Sequence, residues 1–195
     1  LHMRIIGNDP SVPRQTQEVA SGTLPNGKPV IVNADGTVSV VGVTARSVSV
    51  GTRVVFDNGQ MDKTAVVFDS SSNKIVVAWR DNVNSYYGTA AVGTVDPSDN
   101  SITFGSDVVF ESGNTNGISI TFDSSNNKVV IAFRDSDDAN NGKAVVGTVS
   151  GTSISFGTAV EFESGTTAET HCVFDSNAGK VVISYRDDGN TGRGT

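Results

Sequence analysis

Apolar positions along this chain cluster in short runs rather than at the three-to-four spacing of an amphipathic helix. The clearest runs are IVVAW at 75 to 79 and VVIAF at 129 to 133, each opened by a lysine and closed by Arg-Asp. A short β-branched run bounded by turn residues reads as a strand covered on both faces, because a strand with one wet face alternates apolar with polar. Further segments carry VGTV or the pattern S-x-S-x-G-x-x-V-x-F. Clusters of Ser, Asn, Asp and Gly separate these segments at intervals of roughly 8 to 12 residues, the spacing of strands joined by tight turns.

The whole arrangement repeats. FDSSSNKIVVAWRD at 68 to 81 returns as FDSSNNKVVIAFRD at 122 to 135 and as FDSNAGKVVISYRD at 174 to 187, spacings of 54 and 52 residues. SVSVGTRVVFDNG at 47 to 59 returns in register as SITFGSDVVFESG at 101 to 113 and SISFGTAVEFESG at 153 to 165. GTAAVGTV from Gly88 and GKAVVGTV from Gly142 lie between, and the following loops, DPSDN and SGT, account for the two-residue change of period. Each unit is therefore predicted to hold four strands: one ending in Phe-Asp, one from Lys to Arg-Asp, one carrying VGTV and one carrying the S-x-S-x-G-x-x-V-x-F block. Asp69, Asp123 and Asp175 open the intervening turns, where a short carboxylate accepts backbone N–H groups. The expected fold class is all-β, a β-propeller built from four-stranded antiparallel blades of about 52 residues and incomplete in one chain. A β-solenoid is the alternative.

Residues 1–17 read as a cloning remnant before Met3 followed by an extended N-terminal arm, and residues 18–57, with NGKPVIVNADGTVSVVG, as a degenerate first blade or a β-appendage. Residues 58–195 carry the propeller repeats. The last repeat stops at GNTGRGT, where its third strand is due. An unpaired strand presents free N–H and C=O groups, so self-association through open blade edges is expected.

Composition agrees with strands: 30 Val and 10 Ile stand against 2 Leu, and β-branched side chains crowd a helix. The formal charge of −7 repels phosphate backbones and anionic lipid, which argues against nucleic acid and membrane surfaces as partners. No apolar stretch approaches the roughly 18 residues of a membrane span. Cys172 is alone in the sequence, which leaves packing and hydrogen bonds to stabilise the chain.

Arg80-Asp81, Arg134-Asp135 and Arg186-Asp187 close the second strand of each unit. Adjacent strand residues point to opposite faces, so the Arg of one blade is expected to meet the Asp of the next as an inter-blade ion pair. The small Ala78, Ala132 and Ser184 leave room for the guanidinium. The functional reading of RDNVNSYYG, RDSDDANNG and RDDGNTGRG is a set of loops on one rim, rich in amides and hydroxyls. Such groups beside an aromatic platform bind sugars. The candidate contacts are Asn84, Tyr86, Tyr87, Asp137, Asn140 and Asn190, whereas Trp79, Phe133 and Tyr185 read as core. Asp135, Asp137, Asp138 and Asn140 faintly resemble an oxygen-ligand loop but lack the D-x-[DN]-x-[DN]-G pattern, so a solvated acidic turn is expected and no metal or cofactor is predicted. His171 and Cys172 read as packing residues, and Glu161 with Glu163 as a solvated face rather than the paired carboxylates of glycosidic chemistry. No catalytic residue is predicted.

The repeats F-D-S-x-x-x-K-V-V-I-x-x-R-D and V-G-T-V-S-G-T-S-I-S-F-G-T-A-V, with the opening RIIGNDPSVPRQTQEVASGTLPNGKPVIVNADGTVSVV, resemble the tandem repeats of large proteins from marine bacteriophages of the cyanophage type. The resemblance covers nearly the whole chain. It implies a virion-associated or tail-fibre-like structural protein, an adhesin contacting a host surface, and no catalytic residues; with the loop reading above, the expectation is a non-enzymatic, glycan-binding adhesin. It also implies residence in the phage particle after synthesis in the host cytoplasm without a signal peptide. A glycan-cleaving, sialidase-like propeller enzyme and a purely architectural spacer are the alternatives, although the sialidase box S-x-D-x-G-x-T-W is missing from the sequence.

Overall fold

The computed structural model describes residues 3–6, 15–20, 23, 30–40 and 50–195. The chain divides into two compact units, Leu1–Ser49 and Val50–Thr195. In the first, β1 (Met3–Ile6) pairs antiparallel with β2 (Gln15–Ala20), and β2 runs parallel to β4 (Thr37–Val40), which pairs antiparallel with β3 (Val30–Val32). Asp35 closes the β3–β4 hairpin by accepting from the N–H and the hydroxyl of Thr37 at 2.9 and 2.7 Å. Part of the segment read as an extended arm is thus strand, and its Pro10 and Pro13 lie outside the described residues.

The second unit is all-β, with three antiparallel sheets, none closed on itself. The first sheet holds β5 (Met61–Asp69), β6 (Lys74–Asp81), β7 (Tyr87–Asp96), β8 (Ser101–Phe104) and β9 (Val108–Glu111). The second repeats it with β10 (Thr115–Asp123), β11 (Lys128–Asp135), β12 (Asn141–Ser150), β13 (Ser153–Phe156) and β14 (Val160–Glu163). The third holds β15 (Thr167–Asp175), β16 (Lys180–Asp187) and β17 (Arg193–Gly194). The S-x-S-x-G-x-x-V-x-F block, expected as one strand, is two. Along the edge of β7, β8 lies opposite Gly93 to Asp96 and β9 opposite Gly88 to Ala90. Gly105 still donates its N–H to Val92 at 2.9 Å, and the chain then steps away before Val108 re-enters the ladder.

The turns that follow the first strands are closed as expected. Asp69 accepts from the N–H groups of Ser71 and Ser72 at 2.9 and 3.1 Å and from both hydroxyls, and Asp123 accepts from the N–H groups of Ser125 and Asn126 and from the Asn126 side-chain amide. Burial pushes the Asp69 carboxyl up, but the Ser71 and Ser72 donors outweigh it and hold it below the usual value. The Asn126 amide and the two N–H groups do the same for Asp123.

The sheets meet face to face. Val76, Ala78, Ala90, Val92 and Phe110 of the first sheet form one buried cluster with Val129, Ile131, Phe133, Val145 and Ile154 of the second. The opposite face of β6, with Ile75, Val77 and Trp79, packs on Phe56 and Phe104, so this strand is buried on both faces. One ring pair recurs at each contact: Phe56 on Trp79, Phe110 on Phe133 and Phe162 on Tyr185, with centroids 5.2, 5.4 and 5.2 Å apart. Each phenylalanine ends one S-x-S-x-G-x-x-V-x-F block and meets the aromatic residue that precedes the Arg-Asp of the next sheet. Gly88 makes the approach possible, because a Cβ there would lie 2.5 Å from the Phe110 ring, and Gly142 stands in the same relation to Phe162. The first strand of each of these three sheets also carries an extra residue. Its register slips between Asp62 and Ala65, between Asn116 and Ser119, and between Ala168 and His171, with Lys63, Gly117 and Glu169 at positive φ of 54°, 58° and 49°. Such a bulge re-aims the side chains on either side of it.

Replacing Gly88 with alanine forces a methyl group into the Phe110 ring and is expected to lower stability by about 1–3 kcal/mol, read as a drop in the urea midpoint. An unchanged midpoint would show that the ring has room to move. Because the folded Asp69 and Asp123 carboxyls sit below the ordinary 3.8, their contribution is complete above that value and is lost as pH falls through the lower folded values. The loss of stability below about pH 4 should therefore be shallower in Asp69→Asn than in the unaltered chain, and identical slopes in urea melts across that range would remove this assignment.

Candidate functional site

The loops that follow the Arg-Asp pairs share one frame. Asp81 Oδ1 accepts from the N–H groups of Val83 and Asn84, both at 3.1 Å, and the Tyr87 N–H then closes a tight turn on the Asn84 carbonyl at 3.0 Å. Ser85 and Tyr86 occupy that turn at φ of 55° and 64°, as Ala139 and Asn140 do in the second loop at 52° and 64°. The second turn closes from the Asn141 N–H to the Asp138 carbonyl at 2.9 Å, and in the third loop Asp187 accepts from the Asn190 N–H at 2.9 Å. Two of the loops also hold the following sheet: the Thr115 and Thr167 N–H groups, on buried residues, donate to the carbonyls of Tyr86 and Asn140 at 3.0 Å.

On this frame Asn84, Asp137 and Asn190 are exposed, and Tyr87 and Asn140 are half-buried. Tyr86 is 45% exposed and carries the Arg80 guanidinium over its ring at 5.1 Å. Asp137 accepts from the Asn114 N–H at 2.9 Å, which ties its loop to the start of β10. Asp135 and Asp138 are bridged by the Lys143 ammonium at 2.8 and 2.7 Å. Burial pulls that lysine down, yet the two carboxylates outweigh it and hold its charge firmly in place. Among the described residues no group of three or more His, Cys, Asp or Glu is placed to hold a metal ion.

The expected ion pairs between the Arg of one sheet and the Asp of the next are not formed among the described residues. Each Asp is engaged by its own loop or, for Asp135, by Lys143. Each Arg is governed by the residue across from it on the first strand, which is Asp62, Asn116 and Ala168 in turn. Arg80 makes a two-pronged pair with Asp62 at 2.7 and 2.6 Å and reaches Asn116 of the second sheet at 2.9 Å. Arg134 has no carboxylate opposite and makes one long bond to the Thr167 carbonyl at 3.4 Å, leaving its buried Nε without a partner. Arg186 turns to Asp188 at 2.7 and 2.9 Å.

The remaining candidates are tied down. Glu161 accepts from the Asn141 amide at 2.7 Å. Glu163, read as part of a solvated face, is half-buried and accepts from the Gly165 N–H at 2.8 Å and the Tyr185 hydroxyl at 2.9 Å, which together hold it below the usual range. Burial and then the Glu163 carboxylate push the Tyr185 hydroxyl up. Burial likewise pushes the Cys172 thiol up, with Ser119 Oγ 3.5 Å away, so the sulfur is not a ready nucleophile.

The bulges of β5, β10 and β15 line an open cavity of about 320 Å³, joined by Arg134. None of the six rim-loop candidates lines it. His171, read as a packing residue, is exposed at its wall. The signal that reasoning from sequence missed is the bulge itself, whose residue is Lys63, Gly117 or Glu169 and so shows no common residue type. No protein-family model matches the chain, and no curated protein matches it.

Arg80→Ala leaves Asp62 and Asn116 without their donor and is expected to cost about 1–3 kcal/mol. Arg134→Ala removes one long bond and should cost less than about 1 kcal/mol. Thermal or urea melts that reverse this order would show that Arg134 carries a structural pairing of the kind expected from the sequence.

Proposed function

We propose that this chain is a stretch of β-propeller in a non-enzymatic, virion-associated structural protein, whose exposed loops bind glycans on a host surface. The propeller reading is supported by the repetition of one junction: the same ring pair and the same loop-to-strand backbone bond recur between successive sheets. It is also supported by the cavity that the first strands of three sheets share, as inner strands do around a propeller axis. Copies associating through open blade edges extend the ring, and the last sheet also offers an exposed apolar face, with the paired Val173 and Val182 60% and 52% exposed.

The observation that carries the binding reading is a constant loop backbone presenting different side chains. The tight turn holds Ser85 and Tyr86 in one loop and Ala139 and Asn140 in the next, at nearly the same φ. A rigid frame with variable exposed positions is how recognition loops are built, and repetition around a rim adds avidity to weak single contacts. The placement on a phage particle rests on the resemblance of the repeats to those of marine bacteriophage proteins.

The test is retention of the full chain on an array of neutral and acidic oligosaccharides, followed by calorimetry on those retained. Tyr86→Ala is expected to weaken a neutral ligand about tenfold through loss of the ring platform, with an unchanged circular dichroism spectrum. An array on which no sugar retains the chain would remove the glycan reading.

A further inference from the structure

We propose that the cavity between the three first strands binds the acidic group of a carboxylated or sulfated sugar, with Arg134, Thr170 and Lys63 as its contacts; this rests on the glycan reading above. Two polar groups at its wall are buried and lack partners: Nε of Arg134 and Oγ1 of Thr170. Thr170 is only 3% exposed, so its hydroxyl is a buried group without a hydrogen bond, which costs free energy until something supplies one. Gly117 lies beside that hydroxyl with no side chain, where a Cβ would sit in ordinary contact with Oγ1 at 3.6 Å. An anionic group entering the cavity would offer these donors the acceptor oxygens they lack. The Nε edge of a guanidinium is suited to two-oxygen anions, and such charge-assisted bonds are stronger than neutral ones.

Local charge agrees with this in a chain that is acidic overall. Lys63, exposed on its bulge, makes no ion pair among the described residues, and Arg134 has no carboxylate opposite it on β10. The one carboxylate at the wall, Glu169, leans toward Arg186 at 3.8 Å. Asp188, which also feels the charge of Arg134, is held by Arg186. The balance favours a single negative charge. A volume of about 320 Å³ lies at the small end of ligand pockets and suits one sugar residue rather than a long chain. The substitution of Asp62 by Asn116 in the second repeat frees this one arginine, while Arg80, in the same position one repeat earlier, is fully engaged.

The sequence holds only two histidines, His2 and His171, so the His171 ring protons report on the cavity in a proton NMR spectrum of the full chain. Titration with glucuronic acid or glucose 6-sulfate is expected to shift them saturably, and titration with glucose is not. Arg134→Ala and the near-isosteric Thr170→Val should each weaken the acidic sugar at least about tenfold. Silent His171 signals with every acidic sugar, alongside neutral glycans retained on the array, would overturn the cavity site and leave the loop reading standing. Saturable glucuronate binding with no glycan retained would support the cavity site and remove the host-glycan reading. Acetate or inorganic sulfate binding as tightly as the sugar acids would overturn the sugar as ligand, and so would acidic-sugar affinity unchanged in both cavity variants.

Discussion

The structure of the repeat unit depends on one aromatic ring placed against a glycine. Phe110 lies over Gly88 of its own sheet and against Phe133 and Phe156 of the next, with ring centroids 5.4 and 5.7 Å away. Without a side chain at residue 88 the ring has room to lie there, and apolar residues of β6, β7, β11 and β12 form one buried cluster. Dense packing of this kind tolerates little displacement. The ring contact therefore fixes where each sheet sits on its neighbour, and with it where every strand end and loop is presented.

Where β6 and β11 are apolar on both faces, their charged groups stand at the strand ends. There they are used to close the chain locally: Asp69 and Asp123 cap the turns at one end, and Asp81, Asp135 and Asp187 serve the loops at the other. The arginines beside them reach across toward the first strands, and what they find differs from repeat to repeat. A carboxylate faces Arg80, an amide faces Arg134 and a methyl group faces Arg186. A repeat frame with one changed partner turns a structural arginine into a group free to bind. The same logic explains how a chain of net charge −7 holds a locally cationic cavity: the long-range field sums all charges, whereas a pocket is governed by the few at its wall.

The sequence by itself determined the strands, their β-branched runs, the apolar cover on both faces of β6 and β11, and the Asp-capped turns. These are local or periodic properties, decided by side-chain shape, alternation and hydrogen bonds that span two or three residues. It also marked Trp79 and Phe133 as core and the loops after Arg-Asp as equivalent, since identical spacing produces identical frames. Only the tertiary structure decided that the fourth strand splits into β8 and β9, that the first strands bulge, and that β2 and β4 run parallel. It also decided that Arg80 bonds Asp62 and Asn116 rather than Asp135, and that His171 faces a cavity rather than a core. The physical reason is common to all of these. A partner brought close by sheet packing lies tens of residues away in the chain, and a bulge reverses which face each side chain takes, so neither leaves a mark in the alternation of apolar and polar residues.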